Sequence, residues 1–176
     1  MAFEILKKET LFEGRIFSVQ RQHLRLPDGR EIASEIVSHP GAITLVPVDD
    51  QGNILFVRQY RYGAGKSLLE LPAGMLEPDE DPLVCAAREV REETGKAADT
   101  LQKLGEFYMA PGYSSEYMYV YLATGLHDSP LDADEDEFLQ IESIPAAEVF
   151  RMVDQGTLQD GKSLAALLLA RPHLMG

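Results

Sequence analysis

Apolar and polar residues alternate in short runs from residue 3 to residue 39, the period of half-buried strands, and Leu26-Pro27-Asp28-Gly29-Arg30 breaks them with a turn signal. The pattern changes at Pro40-Gly41. AITLVPV (42–48) and NILFVRQYR (53–61) are β-branched runs separated by Asp49-Asp50-Gln51-Gly52, which reads as a hairpin-like turn. SLLELPAG (67–74) follows as a short strand ending in a loop. Further strands are expected over KLGEFYMA (103–110), EYMYVYLATG (116–125) and EFLQIESI (137–144).

The first helical period runs over residues 82 to 94. Asp81 suits its N-cap, Pro82 its first position and Gly95 its end. Leu83, Ala86, Ala87, Val90 and Thr94 share one stripe and predict the face that packs on the sheet, with Glu89, Glu92 and Glu93 gathered beside it and Arg88 and Arg91 on the remaining face. AAEVFRMVDQG (146–156) and GKSLAALLLARPH (161–173) complete the helices, the second apolar on one side. No regular βαβ repeat runs through the chain. The expected fold class is therefore α+β, a mixed α/β arrangement, with a small β-rich N-terminal extension over 1–40 and one main domain over 41–176.

With 176 residues the chain has length for one catalytic core and little more. No apolar run approaches the roughly 20 residues that span a bilayer, so no membrane partner is expected. A single cysteine, Cys85, and an N-terminus without an apolar core segment point to a cytoplasmic protein. The net charge of −13 repels polyanions, which excludes a nucleic-acid partner. An anionic ligand then needs local cations, from arginine or from metal.

REVREETG (88–95) carries candidate chemistry. Like charges at i, i+3 and i+4 destabilise an isolated helix, so Glu89, Glu92 and Glu93 need compensation. An Arg88–Glu92 pair at i+4 is one source and would make this an ordinary surface network. A bound cation is the other, with the backbone carbonyl near Ala73 joining the carboxylates. Oxygen donors without His or Cys suit magnesium or manganese.

Spacing separates these readings. Gly74, five residues, Glu80, seven residues and then Arg88-Glu89-Val90-Arg91-Glu92-Glu93-Thr94-Gly95 resembles the Nudix box, the signature of hydrolases that cleave a nucleoside diphosphate linked to another moiety. Its last position, usually apolar, is Lys96 here and bears on packing at the helix end. The resemblance implies an α/β/α sandwich with the box as loop-helix-loop. Carried over by position, it makes Glu89 and Glu93 metal ligands, Glu92 a third ligand or close neighbour, and the Ala73 carbonyl the completion of the site. Arg88 then holds the glutamates and Glu80 braces the loop. Magnesium or manganese would neutralise the diphosphate and activate a water.

Pro111, about fifteen residues past the box in APGYSSE, resembles the ADP-ribose pyrophosphatase branch of the family. In that branch Glu116 corresponds to a further metal ligand or to the base that orients water, and Arg61 to an arginine on the substrate phosphates. Glu70 stands where a ribose-contacting or box-bracing glutamate is found. EGRIF (13–17) resembles a segment that swaps across a homodimer and encloses the adenine, with Arg15 and Phe17 as base contacts. DGKSLAALLLA also resembles this branch, as a helix that packs on the sheet without doing chemistry. The implied reaction converts ADP-ribose to AMP and ribose 5-phosphate. Another nucleoside diphosphate sugar, such as GDP-mannose, or a dinucleotide is the alternative within the class. A non-catalytic module that senses ADP-ribose is the alternative outside it, and such modules generally lose box carboxylates that this chain keeps.

Overall fold

A computed structural model describes residues 2–131 and 139–175. The acidic run DADEDE (132–137) and the opening of the strand expected over 137–144 lie outside the described residues. The chain forms two units, Met1–Gly41 with Phe107–Tyr117, and Ala42–Glu106 with Met118–Gly176.

In the first unit, β1 (Glu4–Glu13), β2 (Ser18–Arg25) and β3 (Glu31–Ser38) form an antiparallel sheet in chain order. The turn signal joins β2 to β3: Gly29 donates to the Leu26 carbonyl at 2.9 Å from a φ of +85°, a conformation open to glycine. Every residue of β1 is exposed. Segment 107–117 belongs to this unit as well. Val37 donates to the Tyr113 carbonyl at 2.7 Å, Ser115 donates back to Val37 at 2.9 Å, and the Ser115 hydroxyl accepts from the His39 amide at 2.9 Å. Pairing between residues so distant in sequence leaves no local signal.

The second unit holds β4 (Ala42–Pro47), β5 (Asn53–Arg61), β6 (Lys66–Glu70), β7 (Ala73–Met75), β10 (Gln140–Pro145) and most of β8 (Lys96–Tyr108) and β9 (Tyr117–Asp128). They make two sheets, ordered β7-β4-β9-β8 and β10-β5-β6. The turn Asp49–Gly52 links strands of the two sheets, with antiparallel pairing across it at the bridge between Val48 and Ile54. Asp49 makes the turn, its carboxylate accepting from the amides of Gln51 at 2.9 Å and Asn53 at 2.8 Å. β4 pairs parallel with β9 and antiparallel with β7, and is buried along its whole length, which accounts for its continuous apolar run.

Three helices, α1 (Pro82–Thr94), α2 (Ala146–Asp154) and α3 (Gly161–Leu174), pack on these strands, α1 against β4 and β7 and α3 against β4. The fold class is mixed α/β, as expected. Asp81 caps α1 by accepting from the Leu83 amide, Pro82 opens it, and Gly95 ends it at a φ of +69°. Ile43, Leu45, Cys85, Ala86, Val90, Tyr121 and Ala123 form the core between α1, β4 and β9. The buried face of α1 is rotated from the expected one: Leu83 is 46% exposed and Ala87 is exposed, while Glu89 and Glu93 are buried. Apolarity alone pointed Leu83 inward, whereas hydrogen-bonding partners make two inward carboxylates tolerable. Among the described residues no helix is long and apolar enough to cross a membrane.

Candidate active site

Arg88 sits at the centre of the box. Its Nε and Nη2 donate to Glu80 at 3.1 and 3.0 Å, and its Nη1 donates to Glu89 at 2.6 Å and to Glu92 at 2.9 Å. Nη2 also reaches the Met75 carbonyl at 3.3 Å. This fixes the helix to the loop before it. Glu80 in turn accepts from the Glu77 amide at 3.0 Å and tightens that loop. The hydrogen bond from Arg88 holds the Glu80 carboxyl below the usual range, outweighing the upward push of burial. Contact with Glu80 and the charge of Glu89 raise the Arg88 pKa against the opposing effect of burial. Burial, followed by the charge of Glu89, pushes the neighbouring Cys85 thiol upward, so it stays protonated.

Glu93, one turn after Glu89, is 5% exposed and accepts from the Ala73 amide at 3.0 Å. The β7 backbone and the helix carboxylates are thereby held against each other. Gly74 lies so close that a Cβ there would overlap the Glu89 carboxyl group. Any side chain at position 74 would displace that carboxylate, which explains the glycine at the head of the box.

The donor set is oxygen throughout, and one guanidinium serves the carboxylates of Glu80, Glu89 and Glu92, so the group keeps a net negative charge. That chemistry fits a hard divalent cation. Among the described residues, no three His, Cys, Asp or Glu side chains are arranged as a metal-holding group. Arg88 engages one oxygen each of Glu89 and Glu92.

A second ion network lies in the same unit. Arg61, at the end of β5, donates from Nε and Nη2 to the two oxygens of Glu70 at 2.8 and 2.7 Å. Glu70 is 1% exposed and also pairs with Lys162, whose Nζ reaches Asp160 at 2.9 Å. Burial raises the Glu70 pKa, but Arg61 and Lys162 outweigh it and leave the carboxyl below its usual range. The hydrogen bond to Glu70 raises the Arg61 pKa against its own burial. Ser163 accepts from the Leu71 amide at 2.7 Å, and Pro72 accepts from the Leu45 amide and the Thr44 hydroxyl. Each of residues 70–73 is thus tied down.

The structure brings together Arg61 with Glu70, and Arg88 with Glu89 and Glu92, and places Glu93 on Ala73. Arg15, Phe17 and Glu116 belong to the first unit. Arg15 is exposed, Phe17 lies 6.2 Å from Phe12 between ring centroids, and Glu116 is half-buried with its backbone amide on the Ser114 hydroxyl. Sequence reasoning missed Lys162, Asp160 and Ser163. The available signal was a lysine four residues before Ala166 and eight before Ala170, on what became the buried stripe of α3.

Comparison with known proteins agrees with this geometry. The NUDIX domain model matches residues 38–167. An ADP-ribose pyrophosphatase of Mycobacterium tuberculosis is 42% identical over 94% of this chain and 82% of its own length. Another from Bacillus subtilis is 35% identical over 92% of this chain and 89% of its own. The crystal structure of an ADP compounds hydrolase superposes with a TM-score of 0.86 at 28% identity, covering 100% of this chain and 96% of the other. A family match over most of the length, the retained box carboxylates and a shared fold place the chain in the Nudix family of hydrolases.

Proposed function

We propose that this protein hydrolyses the diphosphate of ADP-ribose to AMP and ribose 5-phosphate. The observation that carries the reading is the complete box: Glu89, Glu92 and Glu93 are all present, and two of them are buried against β7 beside Ala73 and Gly74. The similarity to two ADP-ribose pyrophosphatases supports the choice of substrate.

Nudix hydrolases need divalent metal cations, generally magnesium. In this chain Glu89, Glu93 and the Ala73 carbonyl, with Glu92 as third ligand or neighbour, would hold magnesium or manganese. Bound there, the cation neutralises diphosphate charge and acidifies the attacking water. Arg88 keeps the carboxylates in register, a constraint that matters because small misplacements in a site are costly in rate. Arg61 directs its remaining donors to the diphosphate. Water oxygen bonds to one phosphorus as the bridging P–O bond breaks, and the bridging oxygen leaves on the other product.

A panel of ADP-ribose, GDP-mannose, ADP-glucose, NADH and diadenosine polyphosphates, each with magnesium and with chelator, tests the reading. AMP released from ADP-ribose, preferentially and only with metal, is expected. Preference for another member keeps the mechanism and replaces the substrate; tight ADP-ribose binding without cleavage of any compound would identify a sensor.

We further propose a cytoplasmic homodimer formed through residues 1–40. The first unit exposes Ile5, Leu11 and Phe12 on β1 and Phe3 and Ile16 beside it, each more than two-fifths accessible. A second copy is the covering surface proposed. Sedimentation should give twice the 19.5 kDa chain mass, and a monomer at micromolar concentration would refute the dimer.

A further inference from the structure

We propose that Lys162, on a helix with no contact role in the reaction above, is a positioning residue for substrate binding: it holds the buried Glu70 carboxylate so that Arg61 presents its remaining donors to the diphosphate. The inference rests on the reading of Arg61 as the phosphate contact.

Glu70 is 1% exposed and Lys162 8% exposed, so neither charge is solvated. A buried carboxylate is stable only with partners, and Glu70 has two cations. Both Arg61 hydrogen bonds go to it, on Nε and Nη2, while the Arg61 side chain remains 42% exposed. The edge of the guanidinium bearing Nη1 has no acceptor among the described residues and is available to a ligand. Without Lys162 the whole Glu70 charge would fall on Arg61, weakening its field at the diphosphate and loosening its orientation.

Position is enforced as well as charge. Asp160 accepts from Lys162 at 2.9 Å and from the Ser163 amide at 3.0 Å, so the N-cap of α3 fixes the lysine. Ser163 then accepts from the amide of Leu71, the residue after Glu70. Two consecutive residues of the α3 first turn thus grip two consecutive residues of the segment leading to Ala73. The helix that the sequence marks as packing alone carries the brace for the phosphate-binding arginine.

Steady-state kinetics of Lys162→Met test this. The Michaelis constant for ADP-ribose should rise about tenfold, equivalent to about 1.4 kcal/mol. The turnover number should stay within about threefold and the magnesium dependence should not move, because Ser163 still holds Leu71 and with it the segment leading to Ala73. Lys162→Arg should recover most of the loss. A fall in melting temperature with an unchanged Michaelis constant would make Lys162 structural only and overturn the inference. Should Lys162→Met fail to fold, Lys162→Met/Glu70→Gln removes both buried charges; its Michaelis constant should rise no further than that of Glu70→Gln alone. A further tenfold rise in the double variant would show that Lys162 acts independently of Glu70, against the proposal. If the wild type cuts a different nucleoside diphosphate sugar, that compound replaces ADP-ribose in every arm. If it binds ADP-ribose without cutting, the calorimetric Kd replaces the Michaelis constant. A wild type that neither binds nor cuts refutes the reading of the site and this inference with it, whereas normal wild-type turnover with an unaltered Lys162→Met refutes this inference alone.

Discussion

Glu93→Gln lowers the turnover number by about two to four orders of magnitude while the fold persists, the loss of several kcal/mol expected when a carboxylate leaves a catalytic cation site. Glutamine has nearly the volume of glutamate, and its carbonyl oxygen is able to keep the hydrogen bond that Ala73 donates at 3.0 Å. Packing at this 5% exposed position is therefore retained. What disappears is one negative charge from a group where Arg88 already neutralises part of Glu80, Glu89 and Glu92. Rates at saturating ADP-ribose, taken across a magnesium titration, separate weakened cation affinity from a lost rate, and circular dichroism checks the fold. Turnover within threefold of wild type at ordinary magnesium would remove Glu93 from the ligand set.

Local signals carried much of the fold. Asp81, Pro82 and Gly95 bound α1 in sequence and in structure because caps and terminators act through their nearest backbone groups. The box spacing was legible for a related reason: Gly74 has no room for a Cβ beside Glu89, and Arg88 reaches back eight residues to Glu80, so both ends of the motif answer to one contact set. Long-range pairing was not legible. Nothing near Asp49–Gly52 tells that β4 and β5 enter different sheets, and nothing near Ser114 announces Val37. The inward face of α1 was misjudged at Leu83 and Ala87 because an apolar stripe cannot report that Glu93 has an amide waiting on β7. Lys162 was hidden similarly: its partner Glu70 lies 92 residues earlier, and a lysine in an apolar helix reads as a solvated end until both are seen buried together.

Arg88→Met should show the largest effect on stability. Arg88 pairs with Glu80, Glu89 and Glu92 at once, and these side chains are 10%, 11% and 25% exposed. Methionine replaces much of the aliphatic stem and none of the charge, so the acids are left facing one another. Breaking a buried pair costs about 3–5 kcal/mol, and partial exposure of Arg88 reduces this to about 2–4 kcal/mol. For a chain of this size that is a melting temperature lower by roughly 5–15 °C. The sign with pH follows from Glu80. Arg88 depresses its folded pKa, so the stabilisation is present above the ordinary glutamate range and is lost as pH falls through the folded value. The gap between wild type and variant should accordingly be widest near pH 7 and narrow below about pH 4, where the variant's acids are protonated and their repulsion ends. Magnesium should narrow it at pH 7, since a ligand at about a hundred times its Kd stabilises by roughly 2.7 kcal/mol and the variant's carboxylates no longer compete for Arg88. Calorimetric melts at both pH values, with and without magnesium, read all of this. A gap unchanged at pH 4 would assign the loss to packing instead of charge, and a gap unmoved by magnesium at pH 7 would count against these carboxylates as the cation site.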